Sequence, residues 1–355
     1  MSQWRNLVFE GGGVKGLAYA GALEVLESEG VLEDIVRVGG SSAGGITAGM
    51  LAVGMTPKEI REVLDETDFK RFMDDDWGVV RDTARLLREF GWHKGEAFKN
   101  WFRKMVLKRK GLRDDITFSE LAALPRTRAL HMTGTNLNFM YTRVYSAQET
   151  PEMPVVEALR ITMSFPFFFK AVGSQDSMPG EDRPPMICTF IDGGLLRNYP
   201  INLFDNKSFI TAEEEGAALG REKFDYITAE EASFGYVYNA QTLGLRIDSA
   251  KEVKAYEGGY SIDQEIEGFL TYAFGLVNTL MEAANRAHLH KNDWHRTIFI
   301  ENPNVSAMEF TLSRDKKDQL VQNGRDGATR YFDWFKNEAH EERAINRVLF
   351  PNPRD

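Results

Sequence analysis

The chain has 355 residues, 43% hydrophobic and 27% charged, so it carries enough apolar material for a sizeable core and has no compositional signature of general disorder. Its 53 acidic residues outnumber its 43 basic ones, and the net charge of −10 argues against a nucleic-acid partner, whose phosphate backbone it would repel. A single cysteine, Cys188, excludes an intramolecular disulfide and a cysteine-rich zinc site, and fits a reducing compartment.

No part of the sequence resembles an export signal or a membrane span. The first residues lack a charged leader followed by an apolar run, so the mature chain is expected to begin near Met1. The longest apolar stretch, residues 269–289, is interrupted by polar and charged residues, so no transmembrane segment is predicted. We therefore expect a cytoplasmic protein that is peripheral where it meets membranes.

Two tandem units at the start of the chain indicate an α/β fold. Each consists of a short apolar strand, a glycine-rich turn and a helix: strand 7–9, turn 11–16 and helix 17–29, then strand 35–38, turn 39–45 and helix 46–53. This alternation predicts a parallel sheet with helices on its faces, in which ligands bind at the carboxyl ends of the strands. Both glycine turns are expected at that edge of the sheet.

Later segments carry further helix and strand signals. Thr56 with Glu59, and Thr117 with Glu120, form capping boxes that mark two helix starts. The other predicted elements are strands 128–133 and 140–146, helix 155–164, strand 186–191 and helix 313–335. The polar stretches are interpreted as a loop-like insertion at 174–185, a partly helical insertion at 211–233 and a solvated acidic loop at 74–76.

Ser42 is the candidate nucleophile. Residues 40–44, Gly-Ser-Ser-Ala-Gly, fit the nucleophile-elbow pattern G-x-S-x-G, with a strand before the turn and a helix after it. Gly40 and Gly44 are needed because a side chain at either position would collide with neighbouring backbone, and the helix directs its positive N-terminus at a developing anion. A purely structural turn is the alternative, and Ser41 is the neighbouring hydroxyl that could be mistaken for the nucleophile.

The first glycine turn allows two interpretations. Residues 11–16, Gly-Gly-Gly-Val-Lys-Gly, satisfy the dinucleotide-binding pattern G-x-G-x-x-G, but no acidic residue follows the second strand to hold a ribose. We favour an oxyanion hole, in which the N–H groups of Gly11, Gly12 and Gly13 stabilise a tetrahedral adduct. The loss of one such donor typically costs about 3 kcal/mol.

A serine nucleophile needs a base, and Asp192 is the candidate. It follows an apolar strand and precedes Gly193, so we expect it at the same sheet edge as Ser42; a turn-forming aspartate is the alternative. The chain order Ser, Asp, His of α/β-hydrolases also stays open, because His288, His290 and His295 follow Asp192. An exposed polar helix end is the favoured interpretation of these histidines, and no metal site is predicted.

Two residue clusters have weaker functional interpretations. The aromatic run 165–169 is expected in the core, with an acyl-chain pocket as the alternative. The basic stretch 103–113 is expected to be a solvated helix end, with attraction to anionic lipid head groups as the alternative.

Three motifs, at 11–16, 40–44 and 192–194, resemble those of the patatin-like phospholipases in their order and strand contexts. Residues 164–168 are similar to the family's S-x-x-P-x-x-F segment. The resemblance covers residues 6–202, and the tail at 310–331 is similar to that of soluble bacterial members. Two positions differ from many members, which carry Asp where this chain has Glu10 and Arg where it has Lys15.

The resemblance implies a three-layer α/β/α sandwich with a mainly parallel central sheet, and a Ser-Asp dyad without histidine. Ser42 would be the nucleophile, Asp192 the base, and Gly11 to Gly13 the oxyanion hole. The motif positions with an implied supporting role are Lys15, Gly16, Gly40, Gly44 and Gly193. No metal or other cofactor is required.

The leading hypothesis is a lipid acyl hydrolase of the phospholipase A or lysophospholipase type, acting on a phospholipid or other acyl ester at a membrane surface. Residues 1–355 would form a single catalytic domain, with the motifs in 6–202 and with 203–355 completing the fold and supplying any lid. The alternatives are a Ser-Asp-His esterase or acyltransferase, and a non-catalytic lipid-binding or regulatory module. The lipid head group, the ester position and the need for an activator stay open.

Overall fold

The computed structural model describes residues 4–73, 90–177, 184–210, 237–249, 266, 268–288 and 291–336. The strands within these ranges are β1 (Asn6–Phe9), β2 (Arg37–Gly40), β3 (Gly91–His93), β4 (Ala129–Asn136), β5 (Tyr141–Tyr145), β6 (Phe167–Phe169), β7 (Val172–Asp176), β8 (Met186–Asp192), β9 (Thr242–Ser249) and β10 (Thr297–Asn302). The helices are α1 (Ala18–Ser28), α2 (Val31–Asp34), α3 (Ala43–Ala52), α4 (Pro57–Glu66), α5 (Glu96–Phe102), α6 (Phe118–Ala122), α7 (Val155–Thr162), α8 (Gly194–Arg197), α9 (Phe269–His288) and α10 (Arg314–Lys336).

Eight strands of the described chain form one sheet. Pairing runs β10-β9-β1-β2-β4-β8-β7, and β5 also pairs with β4. Neighbours from β10 to β4 are parallel, whereas β5, β7 and β8 join the sheet in antiparallel pairs. β3 and β6 form a separate two-stranded parallel sheet. The predicted α/β class with a mainly parallel, helix-flanked central sheet is confirmed.

The register of β4 brings the carboxyl ends of β2 and β8 together. Met132 pairs with Gly40 of β2 and also with β5, while Gly134 pairs with Asp192 of β8 and also with β5. Since a strand has two edges, β5 occupies one edge of β4, and β2 and β8 share the other. The two carboxyl ends thus face each other, about 7 Å apart along β4.

β1 shows that both faces of the sheet centre are covered. Side chains alternate along a strand, and Leu7 and Phe9 pack into the main hydrophobic core. Val8 points to the opposite face, where it packs into a second cluster with Tyr199, Ile201 and Phe204. A sheet buried on both faces explains the continuous apolar sequence of β1.

Several local predictions hold, and others need correction. The capping boxes at Thr56 and Thr117 are both formed. The second predicted helix begins at Ala43, three residues earlier than expected, because the turn after β2 enters the helix directly. The expectation that 174–185 is a loop is wrong at its start, since residues 174–176 belong to β7 and pair with β8.

Two expectations, the acidic loop at 74–76 and the insertion at 211–233, lie outside the described residues. β9 and β10 were not predicted from the sequence, although they extend the sheet beyond β1. No helix in the described part of the chain is long and apolar enough to cross a bilayer.

Candidate active site

Ser42 lies at a tight turn between β2 and α3. Its φ of 51° and ψ of −124° are strained for a residue with a side chain, as the nucleophile elbow requires. A Cβ on Gly40 would overlap the backbone of Gly44, and one on Gly44 would overlap the carbonyl of Phe9, so the turn requires both flanking glycines. The Ser42 N–H donates to Thr162 Oγ1 at 3.0 Å, which ties the turn to the end of α7.

The glycine loop follows β1 and lies against Ser42. The Gly11 N–H donates to the Asn198 carbonyl at 2.9 Å, and Asn198 Nδ2 donates back to the Gly11 carbonyl at 3.1 Å. Gly13 has a φ of +56°, and a Cβ there would overlap the Ala307 carbonyl. The N–H groups of Gly12 and Gly13 make no hydrogen bond to any described residue. Two amides of the loop are therefore available to a ligand, and the Gly11 amide is already engaged.

Asp192 is buried at the end of β8, with 1% of its surface exposed. Its Oδ1 accepts the Gly194 N–H at 2.7 Å, and Oδ2 has no hydrogen-bond partner among the described residues within 3.5 Å. Burial raises the pKa of Asp192 to about 7, against the opposing effects of the Gly194 N–H and of the nearby Ser42 and Ser41 hydroxyls. The backbone therefore holds one carboxylate oxygen, and the other has no hydrogen-bond partner among the described residues. The Ser42 and Ser41 hydroxyls lie near this carboxyl group.

Asp192 reaches the site in a different way from the one expected. The sequence predicted that Asp192 and Ser42 would follow the carboxyl ends of strands at the same end of a parallel sheet. However, β8 is antiparallel to β4. The carboxylate meets Ser42 because β8 and β2 end against each other along one edge of β4. The backbone position is fixed by the Asp192 N–H, which donates to the Ser164 carbonyl at 2.9 Å, and by Thr135 Oγ1, which donates to the Asp192 carbonyl at 2.9 Å.

Behind the glycine loop lies a buried charge cluster built on β9. Glu10 Oε2 accepts the Ile247 N–H at 2.9 Å, and its Oε1 lies 3.6 Å from Arg246 Nε. Arg246 also pairs with Asp248 at 2.9 Å. Burial raises the pKa of Glu10 to about 8, although the Arg246 charge opposes that shift. The residue that departs from the family pattern is therefore held by groups of β9, a strand that the sequence did not reveal.

The supporting motif positions surround the same turn. Gly16 faces α3, where an added Cβ would lie 3.0 Å from Ala43 Cβ. A Cβ on Gly193 would overlap the Thr133 backbone and hydroxyl. The Lys15 stem packs over Gly12, with 3.6 Å between Lys15 Cβ and the position of a Gly12 Cβ. These positions allow close approach of the elements that carry Ser42 and Asp192.

Asn198, Thr162 and Ser164 contact the site directly. The sequence singled out only Ser164, as the first residue of the segment similar to the family's S-x-x-P-x-x-F pattern, and gave it no role at the site. Asn198 makes two hydrogen bonds to the backbone of Gly11. Thr162 accepts the Ser42 N–H and Ser164 accepts the Asp192 N–H. For Asn198, the only available signal was its position shortly after the 192–194 motif. Single polar residues become recognisable as site residues only when the fold places them.

His295 is the one candidate histidine whose side chain the structure describes, and it does not lie at Ser42. His295 precedes β10 and therefore lies at the amino ends of the parallel strands. Ser42 follows β2 and lies at their carboxyl ends, on the opposite side of the molecule from His295 along the strand direction. Its ring stacks on Trp334, with centroids 6.2 Å apart. His290 and the side chain of His288 lie outside the described residues. Within the described ranges, no group of three or more His, Cys, Asp or Glu side chains could hold a metal ion.

The basic stretch 103–113 is largely compensated by acidic neighbours. Arg109 pairs with Glu62 at 2.6 Å, and Lys110 pairs with Glu59 at 3.3 Å. Arg103 and Arg113 also lie in ion pairs. These pairs favour a solvated helical surface over a site for anionic head groups.

Known proteins share this fold or resemble this sequence. VipD from Legionella pneumophila superposes with a TM-score of 0.52 at 16% identity, covering 94% of this chain and 67% of that protein. In sequence, the uncharacterized protein YqhO of Bacillus subtilis is 27% identical over 325 residues, 90% of this chain and 94% of the relative. The uncharacterized protein R571 of Acanthamoeba polyphaga mimivirus is 26% identical over 325 residues, 91% of this chain and 92% of the relative.

Residues 7–205 match the family described as patatin-like phospholipase. That match spans more than half of the chain, so the protein belongs to the patatin-like phospholipase family. Membership in this family supports lipid hydrolase activity.

Proposed function

We propose that the protein is a lipid acyl hydrolase of the phospholipase A or lysophospholipase type, with Ser42 as nucleophile and Asp192 as base. The observation that carries the proposal is the meeting of β2 and β8, which sets a strained serine beside a buried carboxylate with one unpartnered oxygen. A base with a pKa of about 7 suits proton transfer near neutral pH.

The reaction follows from this geometry. Ser42 Oγ attacks the ester carbonyl carbon while its proton passes to Asp192, and the carbonyl oxygen becomes an oxyanion. The N–H groups of Gly12 and Gly13 donate to that oxyanion, while Gly11, whose amide is engaged by Asn198, holds the loop in place. Collapse expels the alcohol, which takes the proton from Asp192, and leaves an acyl ester on Ser42. Water, deprotonated by Asp192, then releases the fatty acid and the proton returns to Ser42.

The experiment compares Ser42→Ala and Asp192→Asn in the hydrolysis of a fluorogenic acyl ester. Each variant should lose at least about a thousand-fold in kcat while folding normally, because each removes a group that changes bonding in the reaction. Asp176→Asn is the matched control, since Asp176 is a buried carboxylate on β7 that bonds to Asn136 and Tyr141. It should retain activity.

A fluorophosphonate label identifies the nucleophile directly. Peptide mass spectrometry should find the adduct on Ser42 and not on Ser41. Absence of any adduct on correctly folded protein would favour a non-catalytic lipid-binding module. Full activity of Ser42→Ala or of Asp192→Asn would remove that residue from the mechanism, and product analysis on phospholipid vesicles would define the ester position.

A further inference from the structure

The peptide unit between Gly11 and Gly12 carries one of the two N–H groups of the glycine loop that have no hydrogen-bond partner among the described residues. A trans peptide unit is planar, so its carbonyl and its N–H point in opposite directions, and fixing one fixes the other. The next unit is fixed in this way, because the Gly12 carbonyl accepts the Lys15 N–H at 3.2 Å. The Gly11 carbonyl needs a partner of its own, since two glycines, without a Cβ, allow their shared peptide unit to rotate.

Asn198 supplies that partner. Its Nδ2 donates to the Gly11 carbonyl at 3.1 Å, while its own carbonyl accepts the Gly11 N–H at 2.9 Å. The first of these bonds turns the Gly11 carbonyl towards Asn198 and leaves the Gly12 N–H on the opposite side of the peptide unit. Gly11 itself adjoins the proposed nucleophile, since a Cβ added to it would lie 3.1 Å from Ser42 Cβ. The Asn198 side chain therefore sets the direction of an N–H group next to Ser42.

The orientation of the Asn198 amide is fixed in turn by its surroundings. An asparagine amide has a donor end and an acceptor end, which a half-turn of the group would exchange. Nδ2 faces two acceptors, the Gly11 carbonyl and Glu10 Oε1, the latter at 3.4 Å. Oδ1 fills the space left by two glycines, since a Cβ on Gly11 would overlap it and a Cβ on Gly194 would lie 2.7 Å from it. A half-turn would therefore set oxygen against oxygen at both acceptors.

Glu10 is held by β9 in the position that orients Asn198. Its Oε2 accepts the Ile247 N–H at 2.9 Å, and its Oε1 lies 3.6 Å from Arg246 Nε. These neighbours are donors, as is Asn198 Nδ2, and a carboxyl oxygen can accept a hydrogen bond whether the group is ionised or protonated. A chain of contacts thus runs from β9 through Glu10 and Asn198 to the Gly11 carbonyl.

We propose that Asn198 is a positioning residue, which holds the peptide unit between Gly11 and Gly12 so that the Gly12 N–H can donate to the oxyanion, and that Glu10 supports it by orienting its amide. The inference rests on the proposed hydrolase function and assigns a role to two residues that do not touch the reacting atoms. Because the Gly13 N–H is fixed separately, a change at Asn198 should affect one oxyanion donor and not both.

The kinetic test is Asn198→Ala in the hydrolysis of a soluble p-nitrophenyl ester. It should lower kcat at least about ten-fold and leave KM within about two-fold, because the oxyanion forms only in the transition state. A trifluoromethyl ketone, whose serine adduct carries the same oxyanion, should bind more weakly by the factor lost in kcat/KM. The matched control is Asn202→Ala, since Asn202 Oδ1 bonds to Arg197 at 3.3 Å, and it should change none of these values. An unchanged kcat in folded Asn198→Ala would overturn the proposal.

The part assigned to Glu10 is tested by a double-mutant cycle. Glu10→Gln keeps the size of the side chain but leaves one oxygen for two donors, the Ile247 N–H and Asn198 Nδ2. It should lower kcat, and it should add little to the loss already present in Asn198→Ala, because it acts through that residue. Losses that multiply in the double variant would refute this part of the proposal.

A spectroscopic test separates the positioning role from the hydrolase proposal. In protein that carries ¹⁵N-labelled glycine, the Gly12 signal is identified by its absence from Gly12→Ala, whose added methyl would lie 3.6 Å from Lys15 Cβ, an ordinary packing distance. Asn198→Ala should shift or broaden this signal, and Asn202→Ala should not. Asn198→Asp, which keeps the shape of the side chain but not the Nδ2 donor, serves if Asn198→Ala is unstable.

The two proposals fail in different ways. A Gly12 signal that is indifferent to the changes at Asn198 would refute the positioning role, even in an active enzyme. A signal that moves as expected, in a wild-type protein that cleaves no ester, would retain the hold of Asn198 on the loop and refute the hydrolase.

Discussion

The Asp192 carboxyl links the proposed reaction to pH because its pKa is raised to about 7. Only the ionised carboxylate can take the Ser42 proton. We therefore expect kcat/KM to fall about ten-fold for each pH unit below 7 and to level off above it. The measurement is a pH profile of a neutral ester, with the fold checked by circular dichroism at each pH. A profile that stays flat from pH 5 to pH 8 would contradict Asp192 as the base.

The raised pKa of Asp192 also makes the free energy of unfolding depend on pH. The folded-state pKa lies above the ordinary value of 3.8, so the group stabilises the fold below about pH 4, and this contribution is lost as the pH rises through about 7. Each unit of pKa displacement corresponds to about 1.4 kcal/mol. Asp192→Asn removes the titrating group and should narrow the difference in unfolding free energy between pH 5 and pH 8. Urea unfolding of both proteins at the two pH values measures it, and equal pH dependence would contradict the shifted pKa.

Residue identity explains which parts of the site were predictable. Ser42 and the glycines were recognisable because a strained or crowded backbone admits few residue types. Those residue types form short motifs that can be identified from neighbouring positions in the sequence. Asn198 gave no such signal, since its role depends on Gly11, a residue far away in the chain. The engagement of the Gly11 amide by Asn198 was hidden for the same reason.

At the scale of elements, helix starts were among the most predictable features. The Thr56 hydroxyl accepts the Glu59 N–H at 3.2 Å and Glu59 accepts the Thr56 N–H at 2.8 Å, as the sequence spacing required. Strand β9 was missed because Arg246 and Asp248 interrupt its apolar run. They are tolerated inside because Arg246 pairs with both Asp248 and Glu10. Charged residues such as these prevent a buried strand from being recognised by its hydrophobic pattern unless their partners are known.

The capping box of α4 gives a prediction confined to one element. Thr56→Ala removes a side-chain acceptor of the first helical turn and should lower the free energy of unfolding by about 1 kcal/mol. Activity should not change, since the groups that contact Ser42 and Asp192 come from other elements. Chemical denaturation and the ester assay measure both effects, with Lys58→Ala, at an exposed position two residues later, as the control. A loss of activity at unchanged stability would place α4 in the site.

At the scale of the molecule, the first and last described segments of the chain are packed together. Trp4 lies 5.7 Å from Phe332 and 4.8 Å from Phe335 of α10, ring to ring. β9 pairs with β1 and so completes the sheet beside the strand that precedes the glycine loop. The segment beyond the family match thus supplies part of the core and the charge partners of Glu10. These contacts favour a single folding unit, which the sequence could suggest only from the absence of a composition boundary.

A substitution between α1 and α10 tests whether the chain unfolds as one unit. Gly324 approaches α1 so closely that an added Cβ would overlap the Ala18 carbonyl. Gly324→Ala should force the helices apart and lower the free energy of unfolding by about 1–3 kcal/mol, whereas Thr329→Ala, at an exposed position of α10, should have little effect. In a single domain the disturbance is shared by all parts of the core. Urea should therefore abolish the near-ultraviolet dichroism and the ester hydrolysis in one transition, and Gly324→Ala should shift both signals equally. Two separate transitions, with only one of them shifted by Gly324→Ala, would show that α10 belongs to a second unit and not to the catalytic domain.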